Sequence, residues 1–123
     1  MREDGALGSV WNGDTGEVVT YNGDGGGFML MGLVRYWLAT GDERLKPVID
    51  NAFKYYYESD INHFRCFGGA MDCASIDKEG IHPYFTSAKL MYEATNDSSY
   101  LDYARKAAWY FVSWLYIQNP VYD

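Results

Sequence analysis

The stretch "YWLATGDERL" at residues 36–45 decides the fold, because it is typical of a turn between two helices and because it recurs. Its counterpart is "MYEATNDSSYL" at residues 91–101, where the Ala, Thr and Asp of the first stretch stand again at an offset of 55 positions. Gly41 and Asn96 occupy the position at which helices often end in the left-handed conformation, and the Asp after each can cap the next helix. The repeat predicts two stacked helical hairpins, neither of which buries its apolar face alone.

The segments on either side of the first turn have helical character. "FMLMGLVRYWLAT" at 28–40 is apolar almost all round, with Arg35 as its single charge, which predicts a helix buried on most of its sides. The segment 42–59 has the spacing of an amphipathic helix, which we expect to begin near Lys46 because Pro47 is tolerated best in a first turn. The apolar positions of this second helix are Leu45, Val48, Ile49, Ala52, Phe53 and Tyr56.

A second pair of helices is predicted at 82–95 and 97–117, with Pro83 close to the first helix start. The predicted buried face of the last helix consists of Leu101, Ala104, Ala108, Phe111 and Leu115. Before the helices, an aromatic-Asn-Gly-Asp unit begins at Trp11 and again at Tyr21, and Asn-Gly favours tight turns around a short extended segment. We therefore predict an all-α fold in one partial domain: a turn-rich, β-like lead-in (1–27), a hairpin (28–58), an acidic loop (59–81) and a second hairpin (82–117).

Composition excludes several classes of function. The net charge of -7 disfavours nucleic acid as a partner, since phosphate backbones bind clustered Lys and Arg. The longest nearly apolar run, "AAWYFVSWLYI", is about half of the roughly 20 residues that a membrane span needs, and the first residues lack the plan of a signal peptide. Cys66 and Cys73 form neither a disulfide framework nor a zinc motif, so we expect no metal and no cofactor. A cytoplasmic location and a trimmed secreted origin both stay open.

The glycine-bounded stretch "GGAMDCASIDKEG" at 68–80 is the main candidate for chemistry. Paired carboxyl groups, one protonated and one ionised, can act as acid and base in hydrolysis, and Asp72, Asp77 and Glu79 are the candidates for them. Lys78 can lower the pKa of a neighbouring carboxyl, and Cys73 can line the pocket. The alternative is that Asp77 or Ser75 caps the following helix while Lys78 and Glu79 are only solvated.

These features together resemble the six-hairpin glycosidase superfamily, whose fold is an (α/α)6 toroid. The resemblance rests on the alternation of buried and amphipathic helices, on the "ATGDERL" turn, and on "DCASIDKE" at 72–79, which is similar to an acidic loop of glycosidase-like members. It implies an oligosaccharide or polysaccharide substrate and a cleft built from the loops at one end of the helices. Since a complete toroid has six hairpins, the resemblance also implies either a fragment of a larger enzyme or a chain that assembles with copies of itself.

Further residues are candidates for contact with the substrate. Asp24 precedes three glycines whose N–H groups could face a sugar hydroxyl, although these glycines could equally permit a tight entry into a packed helix. Aromatic rings in loops or near helix ends can stack on sugars. The predicted substrate-binding residues are Asp24, Trp11, Tyr21, Phe67, Lys78, His82 and Tyr84. Trp37, Trp109 and Trp114 lie inside predicted helices and are expected in the core.

Two other functions stay open. A non-catalytic helical-repeat module could bind a glycan or a protein partner through an exposed aromatic surface, with its acidic residues dispersed. A polysaccharide lyase would need a Tyr or His base and cationic residues against a uronate carboxylate, and the acidic loop has the wrong charge for that. Convergence of the acidic residues in one pocket would favour the hydrolase.

Overall fold

The computed structural model of the chain describes residues 2–23, 25–68 and 75–115. Its helices are α1 (Gly25–Thr40), α2 (Lys46–Ser59), α3 (Ile81–Thr95) and α4 (Ser98–Ser113). Its short strands are β1 (Val10–Trp11), β2 (Val18–Thr20), β3 (Phe67–Gly68) and β4 (Ser75–Ile76), and single 3-10 turns lie at Glu43–Leu45 and Ile61–His63. The all-α prediction, with a short β-hairpin near the N-terminus, is confirmed.

The two repeated turns adopt the same conformation. Gly41 and Asn96 both have positive φ, at +67° and 56°, and their amides donate to carbonyl oxygens four residues earlier. Asp42 and Asp97 accept hydrogen bonds from the amides two residues further on, at 3.1 and 2.9 Å. The prediction of left-handed helix ends followed by Asp caps is therefore confirmed at both turns.

The hairpins pack through aromatic residues of α2, α3 and α4. The Phe53 ring meets the edges of Tyr84 and Tyr100, at centroid distances of 5.3 and 5.1 Å, and stacks on Tyr103 at 5.8 Å. Beside this cluster, Lys46 forms an ion pair with Asp50, and both contact the Tyr100 hydroxyl. The predicted face of α2 is confirmed, since Ile49, Ala52, Phe53 and Tyr56 are buried.

The predicted face of α1 is wrong, and that of α4 is right only in part. Helix α1 is not buried on most of its sides: its buried residues are Gly26, Gly27, Leu30 and Val34, while Phe28, Met29 and Tyr36 are exposed. On α4 the buried residues are Tyr100, Ala104, Ala107 and Tyr110. Of the residues predicted on that face, Ala104 is buried and Phe111 packs against the core, whereas Leu115 lies beyond the end of α4 and is exposed.

The lead-in packs against α2. Strands β1 and β2 pair in antiparallel register, and Asn12 closes the turn between them by accepting from the Asp14 and Thr15 amides. The Leu7 amide donates to the buried Tyr56 hydroxyl at 3.0 Å, which fixes the lead-in to the first hairpin. Among the residues that the structure describes, no helix is long and apolar enough to cross a membrane.

Candidate functional site

The acidic segment begins and ends in a two-stranded ladder. Strands β3 and β4 pair antiparallel, with Phe67 opposite Ile76 and Gly68 opposite Ser75. We call this ladder, together with the flanking residues Cys66 and Asp77, the stem. Asp72 and Cys73 belong to the connection between its strands and lie outside the described residues. The stem brings the two ends of the acidic segment side by side at one end of the helical layer.

A buried tyrosine of α4 joins both sides of the stem. The Tyr110 hydroxyl accepts a hydrogen bond from the Cys66 amide at 2.9 Å and donates one to the Asp77 carbonyl oxygen at 3.2 Å. The Asp77 amide donates to the Cys66 carbonyl oxygen at 2.8 Å, which closes the ring of contacts. Tyr110 is 1% exposed and its ring stacks on Phe64 at 5.0 Å. Burial raises the pKa of its hydroxyl to about 12, so it stays a neutral donor and acceptor.

Asp77 forms a local turn at the end of the stem. Its carboxylate accepts from the Glu79 amide at 3.0 Å, whereas the N-terminal cap position of α3 is Gly80, which has no side-chain cap. The expectation that Asp77 caps α3 directly is therefore wrong. Lys78 and Glu79 are exposed beside it. The Asp77 carboxylate thus lies near solvent, while its backbone amide and carbonyl oxygen are held by Cys66 and by Tyr110.

Asp60 is a second carboxyl group at this end of the fold, and the sequence analysis missed it. It lies half-buried after the last residue of α2, and its carbonyl oxygen accepts from the Arg65 amide at 2.9 Å. Burial raises the pKa of its carboxyl to about 6, against the opposing effects of a Ser59 hydrogen bond and the Arg65 charge. The Asp60 backbone is thus bonded to Arg65, and the Asp77 backbone is bonded to Cys66, the next residue in the chain. No sequence signal marked Asp60, because its desolvation depends on tertiary packing.

The residues predicted to bind substrate fall into different environments. His82 is exposed on the first turn of α3, close in sequence to the stem. Tyr84 is 1% exposed and its hydroxyl donates to the Phe53 carbonyl oxygen at 3.0 Å, so the prediction that its ring faces a sugar is wrong. Phe67 lies in β3, which fixes its backbone in the stem.

The remaining candidates belong to the lead-in and do not adjoin the stem through any described contact. Trp11 is a half-buried residue of β1, and Tyr21 lies under the Arg2 guanidinium, which is 4.5 Å from the ring centroid. Asp24 lies outside the described residues. Asp77, Lys78, Glu79 and His82 thus lie close together in the sequence after the stem, and backbone hydrogen bonds join Asp60 to Arg65 and Asp77 to Cys66.

The tryptophans of the helices differ from one another. Trp37 and Trp114 pack against the core, as predicted, and the buried Trp37 indole N–H has no hydrogen-bond partner among the described residues. Trp109 is 69% exposed, so its predicted place in the core is wrong.

A separate shallow groove of about 510 Å³ lies between the lead-in and α2. Its lining includes Glu3, Asp4, Lys54, Tyr55 and Glu58. Asp4 is held by Arg2 at 2.7 Å, so its charge is already paired. Over the ranges 2–23, 25–68 and 75–115, no group of three His, Cys, Asp or Glu side chains is placed to hold a metal ion.

Comparisons of the chain with models of protein families, with curated proteins and with solved structures find no match.

Proposed function

We propose that the chain belongs to a carbohydrate-processing hydrolase that cleaves glycosidic bonds with paired carboxyl groups at the stem. The observation that carries the proposal is the Tyr110 contact, because it fixes the backbone of the acidic segment to α4 through two hydrogen bonds. A segment that only connected two helices would not need both of its ends bonded to one buried side chain. Catalytic carboxyl groups do need such fixed positions, since small displacements reduce rates strongly.

In this proposal Asp60 and Asp77 have different roles. A carboxyl whose pKa is about 6 is partly protonated near neutral pH and can give its proton to the leaving oxygen as the C–O bond breaks. The Asp77 carboxylate supplies the second group, which takes a proton from water or attacks the anomeric carbon. Asp72 and Glu79 stay candidates for the same role, and Lys78 and His82 for contacts with substrate hydroxyl groups.

The test is release of reducing ends from a panel of oligosaccharides and polysaccharides by the purified chain. Asp77→Asn keeps an oxygen that can accept from the Glu79 amide, so we expect lost turnover with an unchanged free energy of unfolding. Asp60→Asn should also lose turnover. Asp102→Asn is the matched control, since Asp102 is exposed on α4 and its one side-chain partner in the described part of the chain is Arg105, at 3.4 Å. Equal activity of Asp77→Asn and Asp102→Asn would overturn the assignment of Asp77.

The second candidate function is a non-catalytic module that binds a glycan or a protein through aromatic residues. The observation that favours it is the exposure of Trp109, at 69%, together with Phe28 and Tyr36 on α1. Binding of glycans without any turnover, abolished by Trp109→Ser and unaffected by Asp77→Asn, would support this second function.

A further inference from the structure

Phe64 has a backbone conformation that is unusual for its residue type. Its φ of 56° and ψ of 45° are left-handed, and in the described part of the chain the other residue besides glycine with a positive φ is Asn96. Asn adopts this conformation at low cost, whereas a bulky side chain there crowds its own backbone. A strained residue of this kind persists only where its surroundings hold it, and such residues concentrate at functional sites.

Phe64 lies in the turn that leads from α2 into the stem. Across this turn, the Arg65 amide donates to the Asp60 carbonyl oxygen at 2.9 Å. The next residue is Cys66, whose amide donates to the Tyr110 hydroxyl at 2.9 Å. The turn therefore directs the chain to the contact that fixes the stem. Glycine would form such a turn without strain, so the turn alone does not explain why a phenylalanine occupies this position.

The Phe64 ring makes contacts that glycine could not make. It stacks on the Tyr110 ring with a centroid distance of 5.0 Å and an angle of 8° between the two planes. The Lys106 ammonium, which is one helical turn earlier on α4, lies 4.8 Å from the centre of the Phe64 ring. The ring belongs to a side chain that is 37% exposed, so burial in the core does not explain it either. Aromatic and cation–π contacts thus tie the strained turn to α4.

We infer that Phe64 is a positioning residue for the stem. Its ring holds the Tyr110 ring in the orientation in which the hydroxyl bonds to Cys66 and Asp77. The same contact keeps the Phe64 backbone left-handed, and Phe64 thus acts on the stem through Tyr110. The inference rests on the proposed function only for its catalytic consequence, which is that a looser stem places Asp77 less accurately.

Native-state hydrogen exchange of the backbone amides, measured by NMR, tests this role. Phe64→Gly relieves the backbone strain and removes the ring, so the thermal melt should change little. The Cys66 amide should nevertheless exchange about 10-fold faster relative to the amides in the middle of α2 and α3. Phe64→Tyr keeps the ring and should keep the slow exchange. Asn96→Gly is the matched control, because it relaxes the same backbone conformation in the turn between α3 and α4, and it should leave Cys66 unchanged.

A double variant tests whether Phe64 acts through Tyr110. In Tyr110→Phe the Cys66 amide has already lost its acceptor, so adding Phe64→Gly should raise the exchange rate at Cys66 by less than about 2-fold more. Effects of the two substitutions that multiply would show that Phe64 acts on Cys66 by another route, and would overturn the inference.

Two outcomes for the single variant Phe64→Gly would overturn the inference as well. One is unchanged exchange at Cys66. The other is an increase that the amides of α2 and α3 share equally, because a residue that only stabilises the whole fold affects all of these amides alike. A wild-type chain without turnover would contradict the proposed function alone, since the exchange rates do not depend on a substrate.

Discussion

Removing the Tyr110 hydroxyl should weaken the fold by an amount that its two hydrogen bonds determine. In Tyr110→Phe the ring and its stacking on Phe64 are kept, but the Cys66 amide loses the Tyr110 hydroxyl as its acceptor. Cys66 is 5% exposed, so losing this buried hydrogen bond costs about 1–3 kcal/mol. The Asp77 carbonyl oxygen is nearer to solvent, and its loss adds about 0.5–1 kcal/mol. We expect a total of about 1.5–4 kcal/mol.

Urea denaturation followed by circular dichroism measures this free energy of unfolding. Tyr103→Phe is the matched control, because Tyr103 also packs its ring in the aromatic cluster but has no hydrogen bond from its hydroxyl among the described contacts. It should change the free energy by less than about 0.5 kcal/mol. Hydrogen exchange gives the local readout, and the Cys66 amide should lose its protection in Tyr110→Phe. If both variants were equally stable and Cys66 stayed protected, the reasoning about the stem would be refuted.

Three further predictions concern single residues. Asp60→Asn should stabilise the fold at pH 7 by about 1 kcal/mol and give no gain at pH 4. The raised pKa of Asp60 favours the folded state at low pH, where the carboxyl is neutral, and this contribution is lost as pH rises through about 6. The neutral Asn side chain does not lose it. Urea titrations of both proteins at the two pH values check this, and an equal effect at both would contradict it. Gly26→Ala places a Cβ 1.7 Å from the Tyr56 hydroxyl and should lower the free energy of unfolding by about 2 kcal/mol. Gly32→Ala meets no neighbouring side chain and should stabilise α1 by up to about 1 kcal/mol. Thermal melts that rank the two variants the other way would disprove the packing argument. Asp97→Ala removes the cap of α4 and should cost about 1 kcal/mol, so an unchanged urea midpoint would exclude that role.

Local chemistry made the turns and helix starts predictable. Gly41 and Asn96 end their helices as the sequence indicates, because few residue types adopt positive φ at low cost. Pro47 lies in the first turn of α2 for the equally local reason that it has no amide to donate. These features depend on a few neighbouring residues, and all of them can be read from the chain.

The faces of the helices and the state of the carboxyl groups depend on tertiary packing. Apolar residues on α1 indicate only that a surface is suited to being covered, so Phe28 and Tyr36 were wrongly placed in the interior. Tyr110 turned inward because its partners lie on the stem, more than thirty residues away in the sequence. The raised pKa of Asp60 has the same kind of origin, since only the folded chain desolvates that carboxyl.

The most direct test of the proposed carbohydrate site is an NMR titration of the 14.0 kDa chain with oligosaccharides, following each backbone amide. We predict saturable shifts at Asp77, Glu79 and His82, with a smaller response at Asp60. Each of these shifts should be reduced in Tyr110→Phe, because the stem then loses its fixed position. Shifts confined to the exposed apolar residues of α1 and α4, such as Phe28 and Trp109, or no shifts with any glycan, would contradict a substrate site at the stem.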